Sequence, residues 1–225
     1  GLESGIKNLS STTTEIVDEA FQKFKISFSK LDKARFFGHL ELTTIIHRAV
    51  RRAGLVVKYS QGFNPSIRLS FDNALPLGME SEEEFMFIYF FKKIDCRSVI
   101  NGLNATLPQG LLVNSCEPFF KKKHDQQLSR YHIQFKESVF DKERIDKFFN
   151  LSEFIVEDLS KKGKKRKTDL RKIVQKIKYR DDLSIEMVLE SVDNRIIRPS
   201  QVLSQYFDLP DDVMKTTRIK KIKQG

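Results

Sequence analysis

The sequence predicts an α+β protein built from two tandem ferredoxin-like βαββαβ units with mainly antiparallel sheets. Runs that alternate every second residue, such as Phe24-Lys25-Ile26-Ser27-Phe28, read as strands. Apolar stripes at three- and four-residue spacing, such as Leu42, Ile45, Ile46, Ala49 and Ala53, read as helices. The order of the two kinds of segment follows one pattern and then follows it again. No sequence repeat accompanies this; only the element order recurs.

Residues 1–22 are polar and rich in Ser and Thr, and read as a linker or leader with one helix-compatible patch at Glu15–Phe21. The first unit spans 23–120. Phe24–Phe28 is its opening strand, Asp32-Lys33 a turn, and the Leu42–Ala53 stripe a helix that Gly54 ends. Leu55–Tyr59 and Ile67–Phe71 are short strands on either side of a Gly62-Phe63-Asn64-Pro65 turn. Glu84–Phe91 is dense enough in Phe, Met, Ile and Tyr to be a central strand. Asp95 caps a helix through Leu103, and Leu111–Cys116 closes the unit. A basic linker, 121–129, leads to the second unit at 130–225. There Tyr131–Phe135 is a strand, Lys142–Phe149 a helix behind an Asp141 cap, and Phe154–Leu159 a strand. Lys161–Lys167 is a hairpin-like basic loop, and Ile173–Tyr179 and Ile185–Glu190 are strands. Pro199–Phe207 is a helix with Pro in its first turn, and Met214–Ile222 is the last strand.

With 225 residues either one large or two small domains bury a real core. A formal charge of +10 favours an acidic partner, nucleic acid before an anionic membrane surface. The aromatics are split unusually, 19 Phe against no Trp, and core packing is the first expectation for so many Phe. Cys96 and Cys116 are the only cysteines, which suits free thiols in a cytoplasmic protein. No Cys/His grouping has zinc spacing, so no metal site is expected. Neither a signal peptide nor a membrane-spanning apolar run is expected. The chain opens Gly1-Leu2-Glu3-Ser4-Gly5 without Met, as the rear part of a longer protein would.

The densest block of chemistry runs from Arg35 to Gly78. Arg48, Arg51 and Arg52 lie opposite the apolar face of their helix, and guanidinium forks there suit phosphates or stacking on bases. A solvated helix face with acidic neighbours explains them equally well. In the turn, Gly62 permits unusual backbone and Pro65 sets φ, as any hairpin turn requires. A turn does not require Tyr59, Phe63 and Arg68 around it. Stacking faces beside a cation, with Asn64 to bond, suit RNA. His39 is a weak candidate for acid/base catalysis near Arg35, without a second catalytic group spaced to it. It stands two turns from His47, too far for the i, i+4 metal arrangement. Lys161, Lys162, Lys164, Lys165, Arg166 and Lys167 place six cations in seven residues, a phosphate contact or a flexible loop. Lys121–Lys123 and the C-terminal lysines are smaller clusters. The acidic Glu80–Glu84 stretch reads as a solvated approach to the strand.

The same block resembles the radical SAM-linked protein family, bacterial domains of undetermined activity that stand beside, or fused behind, cobalamin-type radical SAM proteins. The matches are Arg35, Phe36, His39, Leu40, Leu42, Arg48, Ala49, Arg51, Arg52, Ala53, Tyr59, Ser60, Gly62 to Pro65, Arg68, Ser70, Phe71 and Leu75 to Gly78. Gly38, Glu41 and Ser66-Ile67 depart from the pattern, the last by replacing a His-Pro pair. The resemblance implies a radical SAM partner protein or domain that supplies the iron–sulfur cluster and S-adenosylmethionine, since two cysteines do not supply the three such a cluster needs. The expectation is thus a non-catalytic RNA-binding accessory module in tRNA or rRNA modification. The alternatives are an RNA-processing endoribonuclease-like enzyme, an architecture that tandem ferredoxin-like units also serve, and a protein-docking adaptor without nucleic acid.

Overall fold

The computed structural model describes residues 20–73, 75–120, 128–138, 140–159, 165–191 and 197–223. Over these the fold is mixed α+β, with six α-helices and mostly antiparallel pairing. The chain divides into two compact units, residues 1–77 with 83–122, and 78–82 with 123–225.

The first unit contains β1 (Phe21–Lys30), a 3-10 turn (Asp32–Phe36), α1 (His39–Arg52), β2 (Leu69–Phe71), β3 (Glu80–Phe91, whose first three residues count to the second unit), α2 (Cys96–Asn104) and β4 (Leu111–Pro118). Its strands lie in the order β4-β1-β3, with β2 antiparallel on β3. Alternation decides what each strand buries. Phe24, Ile26 and Phe28 of β1 meet Met86, Ile88 and Phe90 of β3 in one core, to which α1 adds Ile46, Ala49 and Val50, and α2 adds Val99 and Leu103. Pairing of β1 with β4 slips after Ser27, so Asn114 is an extra residue in β4. Just beyond the slip, the Asn104 side chain takes both Val113 groups, accepting from its N–H at 2.7 Å and donating to its carbonyl at 3.0 Å. That ties the end of α2 to the sheet.

The second unit contains β5 (Leu128–Gln134), α3 (Lys142–Asn150), β6 (Ile155–Leu159), β7 (Lys165–Asp169), α4 (Leu170–Ile173), β8 (Val174–Asp181), β9 (Ser184–Glu190), α5 (Pro199–Gln205), α6 (Asp211–Thr216) and β10 (Arg218–Ile222). Its sheet order is β10-β5-β9-β8, with Glu80 and Ser81 parallel to β10; β6 and β7 pair separately. Asp141 accepts the Glu143 N–H at the start of α3. Arg144 then donates to the Tyr206 and Phe207 carbonyls at 2.6 and 2.7 Å, while the Tyr206 hydroxyl donates back to the Arg144 carbonyl at 3.1 Å.

Several expected boundaries move. Leu55–Tyr59 is not a strand but touches its neighbours through single bridges, Val57 to Phe90 and Tyr59 to Ile67. The loop that follows closes on itself instead: Ser60 N–H donates to the Ser66 carbonyl, and Ser66 N–H to the Ser60 hydroxyl. Asp169 caps the short α4, so the strand expected from Ile173 begins at Val174. Met214 lies in α6, which opens after Pro210 with Asp211 and Asp212 in its first turn, an arrangement the helix dipole favours. Lys165–Lys167 are strand residues of β7, whereas Lys161, Lys162, Lys164, Lys121–Lys123 and the 1–19 leader lie outside the described residues.

Gly110 carries a specific prediction. Its φ is +91°, and a Cβ there would stand 2.5 Å from the Leu31 carbonyl oxygen and 2.9 Å from the Ala34 Cβ. Gly110→Ala is expected to cost at least about 1–3 kcal/mol, read as a lower urea midpoint at unchanged slope.

Candidate functional site

Burying Leu42, Ile46, Ala49 and Val50 turns Arg48, Arg51 and Arg52 outward together along α1. The loop after Tyr59 is held by the Ser60–Ser66 bonds, and Gly62 takes φ +139° there. Phe63 at its tip is fully exposed, Tyr59 is about two-fifths exposed, and Asn64 is exposed. Arg68 leaves the loop and lies over Tyr89 of β3, its guanidinium 4.9 Å from the ring centroid. Arg35 lies over its exposed neighbour Phe36 at 4.5 Å. The expected site residues therefore fall into groups: the arginines of α1, the loop, Arg68 on β3, and Arg35 before α1. Lys165, Arg166 and Lys167 belong to the second unit, where Lys167 pairs with Glu157 at 3.5 Å.

A small cavity of about 20 Å³, room for one water, lies between β1, β3 and the start of α1. Phe28, Phe37, Leu42, Phe71 and Leu75 form its apolar lining, and Lys30, His39, Asn73 and Glu84 its polar one. Lys30 is only 1 % exposed and Glu84 only 4 %. The Lys30 ammonium donates to the Arg35 carbonyl at 3.3 Å. Burial pushes its pKa below the usual lysine value, and the nearby Glu84 and Glu41 carboxylates push the other way without cancelling the shift. The His39 ring stands edge-on to Phe71 at 5.3 Å. The exposed His39 thus shares a cavity wall with Lys30 and Glu84, which its sequence surroundings did not suggest. The signal was parity: Lys30 continues Phe24, Ile26 and Phe28, and Glu84 precedes Met86, Ile88 and Phe90 at the same two-residue step.

The opposite face of the first unit's sheet carries a second group that sequence reasoning missed. Phe85, Phe87 and Tyr89 alternate with the core residues of β3 and are half-buried. Each has a cation against its ring. Lys25 Nζ lies 3.8 Å from the Phe85 centroid, Lys23 Nζ 4.4 Å from Phe87 and 5.0 Å from Phe119, and Arg68 4.9 Å from Tyr89. Phe87 and Phe119 also meet edge to face at 4.8 Å. Such contacts at the surface contribute about 0.5–1 kcal/mol each.

Cations occupy the acidic start of β3. Arg218 pairs with Glu80 and Lys220 with Glu82, both at 3.4 Å. Among the described residues no cluster of His, Cys, Asp or Glu is placed to hold a metal ion. Cys96 and Cys116 are free thiols beside the first core, and burial together with the Cys96 thiol pushes that of Cys116 up. Burial, helped by Arg51, pushes the His47 imidazole below its usual value, and its buried Nε2 has no hydrogen-bond partner. No helix among the described residues is long and apolar enough to cross a membrane.

A bacterial family described as "Uncharacterized protein conserved in bacteria (DUF2344)" has a sequence model that matches residues 23–199. The chain belongs to the DUF2344 family. No curated protein matches this DUF2344 chain. A solved structure, titled as the crystal structure of an unknown protein from Galdieria sulphuraria, aligns over 89 % of this chain and 97 % of its own, at 10 % identity and a TM-score of 0.28. At that score the pairing carries nothing about fold or activity.

The DUF2344 cavity yields a stability prediction. Lys30→Met removes the cation from beside buried Glu84 and is expected to cost about 3–5 kcal/mol in urea denaturation. Adding Glu84→Gln is expected to recover at least half of that loss, and a double variant whose loss equals the sum of the Lys30→Met and Glu84→Gln losses would exclude coupling between the two groups.

Proposed function

We propose that this chain is a non-catalytic RNA-binding accessory module that works beside a radical SAM enzyme in tRNA or rRNA modification. The observation that carries the RNA part is Phe63, a phenyl ring left entirely in solvent at the tip of a hydrogen-bonded loop. Leaving such a ring in water forgoes the stability its burial would bring, whereas an exposed aromatic face is what base stacking uses. The outward arginines of α1 and the net charge of +10 add the electrostatic attraction that phosphates require. The radical SAM part rests on the motif resemblance alone; cluster and S-adenosylmethionine belong to the partner. We read each unit as ferredoxin-like, with β6 and β7 as an insertion in the second. The strand orders β4-β1-β3-β2 and β10-β5-β9-β8 support that reading.

The test is RNA co-purifying at low salt, followed by its sequencing. A defined RNA is expected, with a log–log salt slope of roughly −3 to −4 if about 4–6 phosphates of a single strand are neutralised. The triple variant Arg48/Arg51/Arg68→Ala is expected to make that slope shallower by about 2, near 0.7 for each phosphate no longer neutralised. Clean protein that shifts neither tRNA nor rRNA fragments sinks the reading.

One observation favours a second reading, RNA cleavage: the cavity places Lys30, Asn73 and Glu84 with His39. His39, exposed at the mouth of that cavity, would serve as the acid/base group and the arginines would stabilise the scissile phosphate. Under that reading the chain cuts bound RNA without divalent metal, and His39→Ala abolishes cutting while binding persists. Under the accessory reading the RNA stays intact in both proteins.

A further inference from the structure

We propose that the open face of the first unit's sheet is a stacking platform for two or three unpaired nucleotides of single-stranded RNA. The proposal rests on the RNA reading above and names the kind of RNA that this face takes.

Spacing along β3 comes first. Phe85, Phe87 and Tyr89 recur every second residue along β3, so their rings stand about 6.7 Å apart along the strand. Bases stacked within a nucleic-acid strand rise only about 3.4 Å. The rings therefore match bases splayed from an extended backbone, not bases inside a helix. A paired A-form helix also keeps its base faces stacked away from any flat surface.

Charge is the second part. Each ring of the series carries one cation: Lys25 on Phe85, Lys23 on Phe87, Arg68 on Tyr89. Stacking on an aromatic side chain is the stronger contact, so an arriving base displaces the cation from the ring face. The released ammonium or guanidinium stays within reach of the phosphate attached to that base. One ring and one cation per nucleotide is the stoichiometry that a single strand presents.

Room is the third. Across from Phe87 on β2 stands Ser70, small and exposed, while its neighbours Leu69 and Phe71 pair with the inward residues Ile88 and Met86. On the β1 side Ser27, which accepts from the Ser115 hydroxyl at 2.9 Å, is buried, so the open approach to the rings is from β2. Phe119 stands edge-on against Phe87 at 4.8 Å, and the exposed Ser70 leaves the β2 side of that ring for a base to enter.

The experiment titrates the full chain into a labelled ten-nucleotide uridine-rich RNA and, separately, into a blunt RNA duplex. Phe85→Leu and Phe87→Leu keep apolar bulk on the strand, and thermal melts check that both variants fold. Each is expected to weaken single-strand binding roughly fivefold to hundredfold, equivalent to about 1–3 kcal/mol per stacked base. Duplex binding should change less than twofold. A second readout is independent of folding. The chain has no Trp, so emission from its 5 Tyr is directly visible. The single strand is expected to quench part of it, and Tyr89→Phe to remove that part while preserving affinity. If the leucine variants bind the single strand like the parent while Arg48/Arg51/Arg52→Ala weakens it, the platform is overturned and the RNA reading stands. If the parent binds neither RNA, both fall.

Discussion

Side chains alternate across a strand, so β3 gives one core only every second member of its apolar run. Met86, Ile88 and Phe90 go to the helices, and Phe85, Phe87 and Tyr89 go to the other face by necessity. Both α1 and α2 share a core with the first set. The second set meets Lys23, Lys25, Arg68 and Phe119. A single stereochemical constraint thus produces both a well-filled core and an aromatic face with positive charge along it.

The same alternation explains the cavity. Lys30 takes the inward position that an apolar residue holds elsewhere on β1, and Glu84 does so on β3. Two ionisable groups at the rim of an apolar core cost desolvation, and their mutual attraction offsets part of it. The net downward pull on the Lys30 amine shows that burial outweighs Glu84 and Glu41. With the exposed His39 on the cavity wall, this end of the core sets two buried polar groups near an imidazole. The loop that carries Phe63 is closed by its own serine bonds, and at its base Tyr59 bridges to Ile67 of the core.

The helices were legible because their evidence is local. The apolar stripe of α1, the Asp95 and Asp141 caps and the Pro199 start all lie within a few residues of what they control. Strand ends were less legible. Val57 and Tyr59 have strand-like side chains, yet the serine-closed loop after them leaves only single bridges. Met214 likewise fits a strand by composition, and the residues after Pro210 make it helical. Among candidate site residues, exposure of Arg48, Arg51 and Arg52 followed from the helical period alone. Arg68 did not: its partner Tyr89 lies on a strand distant in sequence. Lys30 and Glu84 were readable in parity but not in consequence, because only the approach of β1, β3 and α1 encloses them.

By itself the sequence determined the periodicities, hence which residues share a side of each helix or strand, together with the basic charge and the composition of the loop around Phe63. Family membership is likewise carried by the order of residues. Tertiary structure alone decided which side of β3 receives helices, which cations come to rest on Phe85, Phe87 and Tyr89, and which polar groups Lys30 and His39 meet. The physical reason is range. Alternation and helical pitch are set by neighbouring backbone dihedrals, whereas burial and ring–cation contact depend on segments that meet only after the chain has closed long loops.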